Sequence, residues 1–271
     1  MISSGDLKLM AIFAHPDDES MGLGPTLAKY AAEGVFTALV TATRGEKGWS
    51  GPAAENPGPK KLGEIRQAEL AEAAKVLGIQ QVDFLDFIDG EVADSDSGLA
   101  IQRIVRCIRT VRPQVVVSFG PEGDYGHPDH IAIFQLTSAA LVAAADSNYP
   151  QPDTQPHRVS KFYAMINSPT WVDLVQTYFG DMGFEVDGVF RRPVAWPEWA
   201  ITTRLDNAIY WQIAQQAILC HRSQLPSLGD VDRFTNQHWQ TLLAELNTYY
   251  RIFSQAPVSP GLETDLFAGL R

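Results

Sequence analysis

Apolar and polar positions along the first 145 residues fall into blocks that alternate between strand and helix patterns. Residues 7–14 (LKLMAIFA) are largely apolar, as in a strand buried on both faces of an α/β sheet. Residues 19–32 read as a helix stopped by Gly34, and residues 36–43 (FTALVTAT) as a second strand. A Pro- and Gly-rich loop runs through Lys61 and leads into a periodic helix at 64–77, ended by Gly78. A strand at 82–87, a helix at 99–111 stopped by Pro113, a strand at 115–119 (VVVSF) and an apolar helix at 130–145 complete the series. Such alternation predicts an α/β, Rossmann-like, mostly parallel sheet with right-handed crossovers and helices on both faces. After about Asp146 the pattern changes. Pro150, Pro152 and Pro156 mark a surface connection, followed by a strand at 161–166 and helical patterns at 207–219 and 234–249. Trp171, Trp196, Trp199 and Trp211 also gather there. Residues 1–271 are therefore expected to form a single domain, in which 146–271 complete the sheet edge and shape a pocket.

A chain of 271 residues accommodates one large α/β domain without requiring two. Its net charge of −11 argues against non-specific nucleic-acid binding, which relies on Lys and Arg, and against affinity for anionic membranes. No apolar run reaches the ~18 residues that a membrane-spanning helix needs. The opening residues lack a basic segment followed by an apolar stretch, so no secretory signal is expected and a cytoplasmic setting is the default. Cys107 and Cys220 lack metal-finger or CxxC spacing and read as small apolar residues of amphipathic helices.

The chemistry concentrates where the first apolar run stops, at His15-Pro16-Asp17-Asp18-Glu19. Pro16 cannot continue a ladder, so this cluster sits at the carboxyl end of the strand, the edge where open α/β sheets place ligands. A second cluster, His127-Pro128-Asp129-His130, follows the strand at 115–119. Together they suggest one metal site. Catalytic zinc takes three protein ligands and keeps a position open for water. His15 and Asp18 can reach one ion across the turn, and His127 or His130 can supply the third ligand. A spare carboxylate beside the ligands is suited to act as general base, and the remaining His to donate a hydrogen bond or proton. Asp129 can orient that His through its ring nitrogen. This is amide or ester hydrolysis chemistry. The plainer alternative makes Asp17 and Asp18 helix caps, but a cap needs one Asp and no His. Two His and one carboxylate also form the iron facial triad of oxygenases, in which a second carboxylate at Asp17 has no purpose. Gly22-Leu23-Gly24 matches only part of a dinucleotide fingerprint, with Leu27 in the third position and no acid closing the second strand.

The sequence Ala14 to Glu19 (AHPDDE), the HPDH segment at 127–130, Arg44-Gly45-Glu46 after the second strand and the helix opening Glu64-Ile65-Arg66-Gln67-Ala68-Glu69 resemble the PIG-L/LmbE-like family of metal-dependent N-deacetylases. Cys220-His221-Arg222-Ser223-Gln224 is similar to that family's later His-x-Ser-Gln segment. The resemblance implies an LmbE-like fold, with His15, Asp18 and His130 as ligands of Zn2+, or of Fe2+ or another divalent ion. It makes Asp17 the general base, His127 the residue that stabilises or protonates the tetrahedral intermediate, and Asp129 its support. Arg66, Tyr125 and Glu46 become the expected substrate contacts. Taken only on local sequence, Arg66 is a solvated helix charge, Glu46 a loop residue and His221 a partner of a helix end. The implied reaction removes an N-acetyl group from an N-acetylglucosamine-type small molecule or related amide, with a thiol-sugar conjugate amidase as the alternative. Members often form trimers or hexamers, so a homo-oligomer is among the expectations.

Overall fold

The computed structural model describes residues 6–186, 188–229, 231–258 and 260–271. Residues 1–5, on which the absence of a secretory signal partly rests, lie outside the described residues. Strands β1 (Lys8–Phe13), β2 (Phe36–Thr41), β3 (Gln81–Phe84), β4 (Val115–Phe119) and β5 (Lys161–Met165) pair in parallel. They alternate with helices α1 (Asp18–Ala32), α2 (Pro59–Leu77), α3 (Ser97–Val111) and α4 (Pro128–Ala145). Helix α5 (Pro169–Phe179), a separate hairpin of β6 (Phe184–Val186) and β7 (Val189–Arg191), strand β8 (Thr203–Arg204), helices α6 (Trp211–Cys220) and α7 (Asn236–Ala244), and strand β9 (Thr248–Ser254) complete the order. The seven-stranded sheet runs β3-β2-β1-β4-β5-β9-β8, with β9 antiparallel to both neighbours. Helices α1, α2 and α6 pack together on one face, and α3 and α4 on the other. The expected mostly parallel α/β architecture is therefore observed.

All five residues of β4 are buried, as are the last five of β1, which is why neither shows the alternation of a half-exposed strand. Helix α2 starts at Pro59 instead of 64, because Gly58 precedes a proline whose fixed φ suits the first helical position. The helical pattern at 234–249 is corrected to α7, ending at Ala244, followed by β9. The run Thr248-Tyr249-Tyr250-Arg251-Ile252-Phe253 is β-branched and aromatic, and it pairs with β5 across the whole strand. The pattern at 207–219 becomes a short 3-10 turn at Ala208–Tyr210 and then α6. Helix α5, not anticipated, begins with Pro169 after Ser168, whose side chain accepts from Trp171 N–H. Residues beyond 146 thus supply β5, β8 and β9 to the same sheet. The C-terminal segment is fastened there by buried Lys161, whose ammonium donates to Glu263 at 2.7 Å, while Tyr163 and Thr203 hydroxyls donate to the same carboxylate.

Candidate active site

Strand order reverses between β1 and β4: β1 leads outward to β2 on one side, and β4 lies on the other. Ligands of open α/β sheets bind at the carboxyl edge of such a switch point. The β1–β2 register extends to Phe13↔Thr41, but β1–β4 pairing stops at Ala11↔Val117. Beyond it a side-chain bond from Ser118 Oγ to Ile12 O (2.8 Å) and an edge-to-face contact of the Phe13 and Phe119 rings tie the two strands. The crevice this leaves is flanked by residues 14–19 after β1 and 120–130 before and at the start of α4.

Three side chains converge in it. His15 Nδ1 lies 3.3 Å from His130 Nε2 and 3.7 Å from Asp18 Oδ2, and His130 Nε2 lies 3.5 Å from Asp18 Oδ1. The outer ring nitrogens fix the tautomers. His15 Nε2 faces the carboxylates of Asp89 (3.1 Å) and Asp129 (3.2 Å), and His130 Nδ1 faces Gly123 O (3.2 Å), so both outer nitrogens carry protons. With both rings neutral, the inner nitrogens point lone pairs at each other and at a carboxylate. Such an arrangement is repulsive unless a cation lies between them, and it matches a two-His, one-carboxylate zinc donor set. The residues therefore fit a divalent metal. A second grouping, His15, His127 and Asp129, is equally close-set, but Asp129 is already occupied by His15 Nε2 and by the N–H groups of Gly90 and Val92.

Asp17 sits beside this set in an unusual backbone conformation, φ 121°, and its side chain caps no helix N–H. Its carboxylate pairs with Arg66 Nη2 at 3.1 Å. Arg66 is 3% exposed and also donates to Pro16 O and Gly45 O, so it is a buried clamp and not a solvated helix charge. Gly45, at φ +64°, is required by the clamp, since a Cβ there would lie 2.2 Å from Arg66 Nη1. Asp17 N–H donates to Glu19 Oε2, and the other oxygen of Glu19 faces His221 Nε2 at 2.8 Å, with both side chains fully buried. His221 thus partners Glu19 in place of a helix end.

The remaining expected residues divide by position. His127 caps α4, its Nδ1 accepting from Asp129 N–H at 3.1 Å, which leaves Nε2 as the protonated nitrogen when the ring is neutral. The Asp129 carboxylate faces His15 Nε2 at 3.2 Å and accepts from the N–H groups of Gly90 and Val92. Tyr125 stacks on Phe184 of the hairpin and lines the cavity, where burial pushes its hydroxyl pKa up and keeps it a neutral donor. Glu46 does not line the cavity. It accepts from Arg44 N–H and Asp89 N–H, which laces the loop after β2 to the loop after β3. Asp89, absent from the sequence expectations, faces both His15 and the cavity. The signal for it was its place in the polar stretch just past the third strand, where the same strand-end rule applies.

Residues 10–141 match the family model described as "PIG-L: GlcNAc-PI de-N-acetylase". A 1D-myo-inositol 2-acetamido-2-deoxy-alpha-D-glucopyranoside deacetylase from Thermobifida fusca is 33% identical, over 97% of this chain and 99% of the relative. The chain belongs to the PIG-L family. Among solved structures, the conserved protein TT1542 of Thermus thermophilus is similar at 27% identity and a TM-score of 0.63, covering 93% of this chain and 96% of that one. The N,N'-diacetylchitobiose deacetylase of Pyrococcus horikoshii shares the fold at 19% identity and a TM-score of 0.64, over 90% and 83%. As a PIG-L protein the chain is a metal-dependent N-deacetylase of the hydrolase class.

The electrostatics of this PIG-L site are those of a cation-binding cup. Burial alone would lower the His15 pKa, but hydrogen bonds to Asp129 and Asp89 and the Asp18 charge reverse that and raise it well above the ordinary value. Burial and the neighbouring His15 and His127 hold His130 well below. Burial pushes Asp18 up to about 8 despite His15, and raises Asp17 despite Arg66. Carboxylates this strained by desolvation gain most from a cation. The centre opens on a cavity of ≈ 510 Å³ that Arg66, Asp89, Tyr125 and His127 also line. Trp171 reaches the cavity, whereas Trp196 donates to Glu122 and Trp199 is exposed. Two tryptophans outside that expected group, Trp49 and Trp239, line it as well.

Proposed function

We propose that this chain removes the acetyl group from an N-acetylglucosamine-type amide by zinc-dependent hydrolysis, with His15, Asp18 and His130 as ligands and Asp17 as general base. The observation that carries the reading is the convergence of two imidazole nitrogens and one carboxylate within 4.8 Å of one another. The relatives named for an acetamido-glucopyranoside substrate support the substrate class. Bound zinc would polarise the amide carbonyl and acidify a water molecule.

The chain's own groups do the rest. Asp17, oriented by Arg66, takes a proton from the attacking water as the new C–O bond forms. His127, whose Nδ1 is committed to Asp129 N–H, presents Nε2–H to the developing oxyanion, and the proton taken up by Asp17 passes to the leaving nitrogen as the C–N bond breaks. Acetate and the free amine leave. Tyr125 and Arg66 border the space for the sugar. His15 is kept facing inward by Asp129 and Asp89, which fixes its Nδ1 as the ligand atom. Among the described residues no helix is long and apolar enough to cross a membrane, in keeping with a small-molecule enzyme of the cytoplasm.

The experiment is acetate release from a panel of N-acetylglucosamine derivatives, with and without a chelator. Release that stops on chelation and returns with Zn2+ supports the reading. Release that persists after complete metal removal overturns it.

A further inference from the structure

The turn that follows α6, His221-Arg222-Ser223-Gln224, has no part in the chemistry above, yet three of its side chains run to the floor of the site. His221 and Glu19 are both fully buried, with His221 Nε2 at 2.8 Å from Glu19 Oε1. That carboxylate also accepts from the Ser20 hydroxyl and, through Oε2, from Asp17 N–H at 3.0 Å, so the ring is the donor. His221 is not among the residues that line the cavity and therefore cannot touch a substrate there. Its route to the reaction runs through Glu19 to the backbone of Asp17. With φ at 121°, that backbone is in a conformation that persists only while its restraints hold. Loss of the His221 donor leaves a buried oxygen of Glu19 short of a partner, and a carboxylate in that state turns to find another. The two neighbouring side chains reach the clamp on the same base. Ser223 donates through both its amide and its hydroxyl to Glu69 (2.8 and 2.6 Å), one turn of α2 beyond Arg66. Gln224 Nε2 donates to Gly48 O (2.9 Å), and Gly48 lies so close to the guanidinium that a Cβ there would sit 2.5 Å from Arg66 Nη1.

We propose that His221 is a positioning residue for the base: through Glu19 it fixes the backbone of Asp17, while Ser223 and Gln224 steady the Arg66 clamp from the same turn. The end of α6 thereby sets the geometry of water attack without meeting the substrate. This rests on the assignment of Asp17 as general base and adds what holds that base in place.

The test is a double-mutant cycle on acetate release by the full-length zinc-loaded protein, with Asp17→Asn and His221→Leu made singly and together. His221→Leu removes the donor and lowers kcat by about 10–100-fold, while KM and zinc content stay at their native values. In the Asp17→Asn background, followed at high enzyme concentration, the same substitution changes the residual rate by no more than about twofold, because the group it positions no longer acts. His221→Gln, which offers Glu19 an amide donor, recovers most of the loss. If His221→Leu does not fold, His221→Asn, shorter and still polar, withdraws the same donor and takes its place in the cycle. A pair that served folding alone would lower the folded fraction and leave kcat per zinc-bound chain unchanged, which overturns the proposal. An equal fold-loss in both backgrounds overturns it too, and leaves the deacetylase reading standing. Native turnover in Asp17→Asn overturns the base assignment and this proposal with it.

Discussion

Asp17, the proposed general base, holds a backbone conformation that L-residues rarely adopt, φ 121°, which costs on the order of 1–3 kcal/mol. That conformation persists because its surroundings over-determine it: Glu19 accepts from its N–H, Arg66 holds its carboxylate and the preceding carbonyl, and Ser20 and Met21 donate to its C=O. Asp17→Asn keeps the shape and the clamp but removes the base. It should retain stoichiometric zinc by elemental analysis while acetate release falls by about 10²–10⁴. Unchanged turnover would remove Asp17 from the mechanism. Gly45→Ala tests the clamp without touching the centre. Its methyl group would displace the Arg66 guanidinium, so kcat should fall by at least about tenfold while the metal content stays constant. The His-Pro-Asp-Asp and His-Pro-Asp-His clusters were legible because each is contiguous and follows an apolar run. The Glu19–His221 pair was not, since its members lie 202 positions apart and only the packing of α6 on α1 joins them. The contact of Asp129 with His15 was not legible for a similar reason. Sequence adjacency favoured His127, whereas the turn at the start of α4 sends its carboxylate across to His15 and the loop after β3.

Elements in the first half were easier to read than those in the second. In β1 and β4 burial on both faces leaves an unbroken apolar run, while β9 was absorbed into a helical pattern because Trp239, Leu242, Leu243, Leu246 and Tyr249 continue a helix-like spacing past Ala244. What decides the matter is pairing with β5, a long-range contact that local periodicity does not encode. The same edge carries a stability prediction. Glu263 accepts from Lys161, Tyr163 and Thr203 and lies 2.9 Å from Arg251. Burial alone would raise its pKa, but Lys161 and Tyr163 outweigh it and the carboxyl titrates below its usual range. Burial lowers the Lys161 ammonium, which its bond to Glu263 partly restores, but a lysine does not titrate in acid. The ion pair therefore contributes stability at neutral pH that is fully present above the unfolded carboxyl pKa, and is lost as pH falls through the lowered folded value. Glu263→Gln leaves Lys161 buried without its counter-charge and should destabilise by about 3–5 kcal/mol in urea denaturation at pH 7. The difference from the native protein should shrink toward pH 3. A difference that does not change with pH would assign the effect to packing alone.

At the scale of the whole molecule, the sheet order places the site. Reversal of strand order at β1 and β4, and a β1–β4 ladder that stops two residues short of the β1–β2 ladder, open one crevice at the carboxyl edge. The alternation of elements was enough to foresee that edge and the two clusters on it. That residues 146–271 shape a pocket was expected, but how α5, α6 and α7 build its far wall was not legible, because those short helices owe their positions to packing against one another and against α1 and α2. The central claim is that His15, Asp18 and His130 hold one divalent ion on which hydrolysis depends. Its most direct test is the rate of acetate release as Zn2+ is titrated into chelator-stripped protein. The rate should start near zero, rise linearly and reach its plateau at one equivalent of zinc per chain. A stripped protein that is already fully active, or a rate indifferent to added zinc, iron and other divalent ions, would contradict the account.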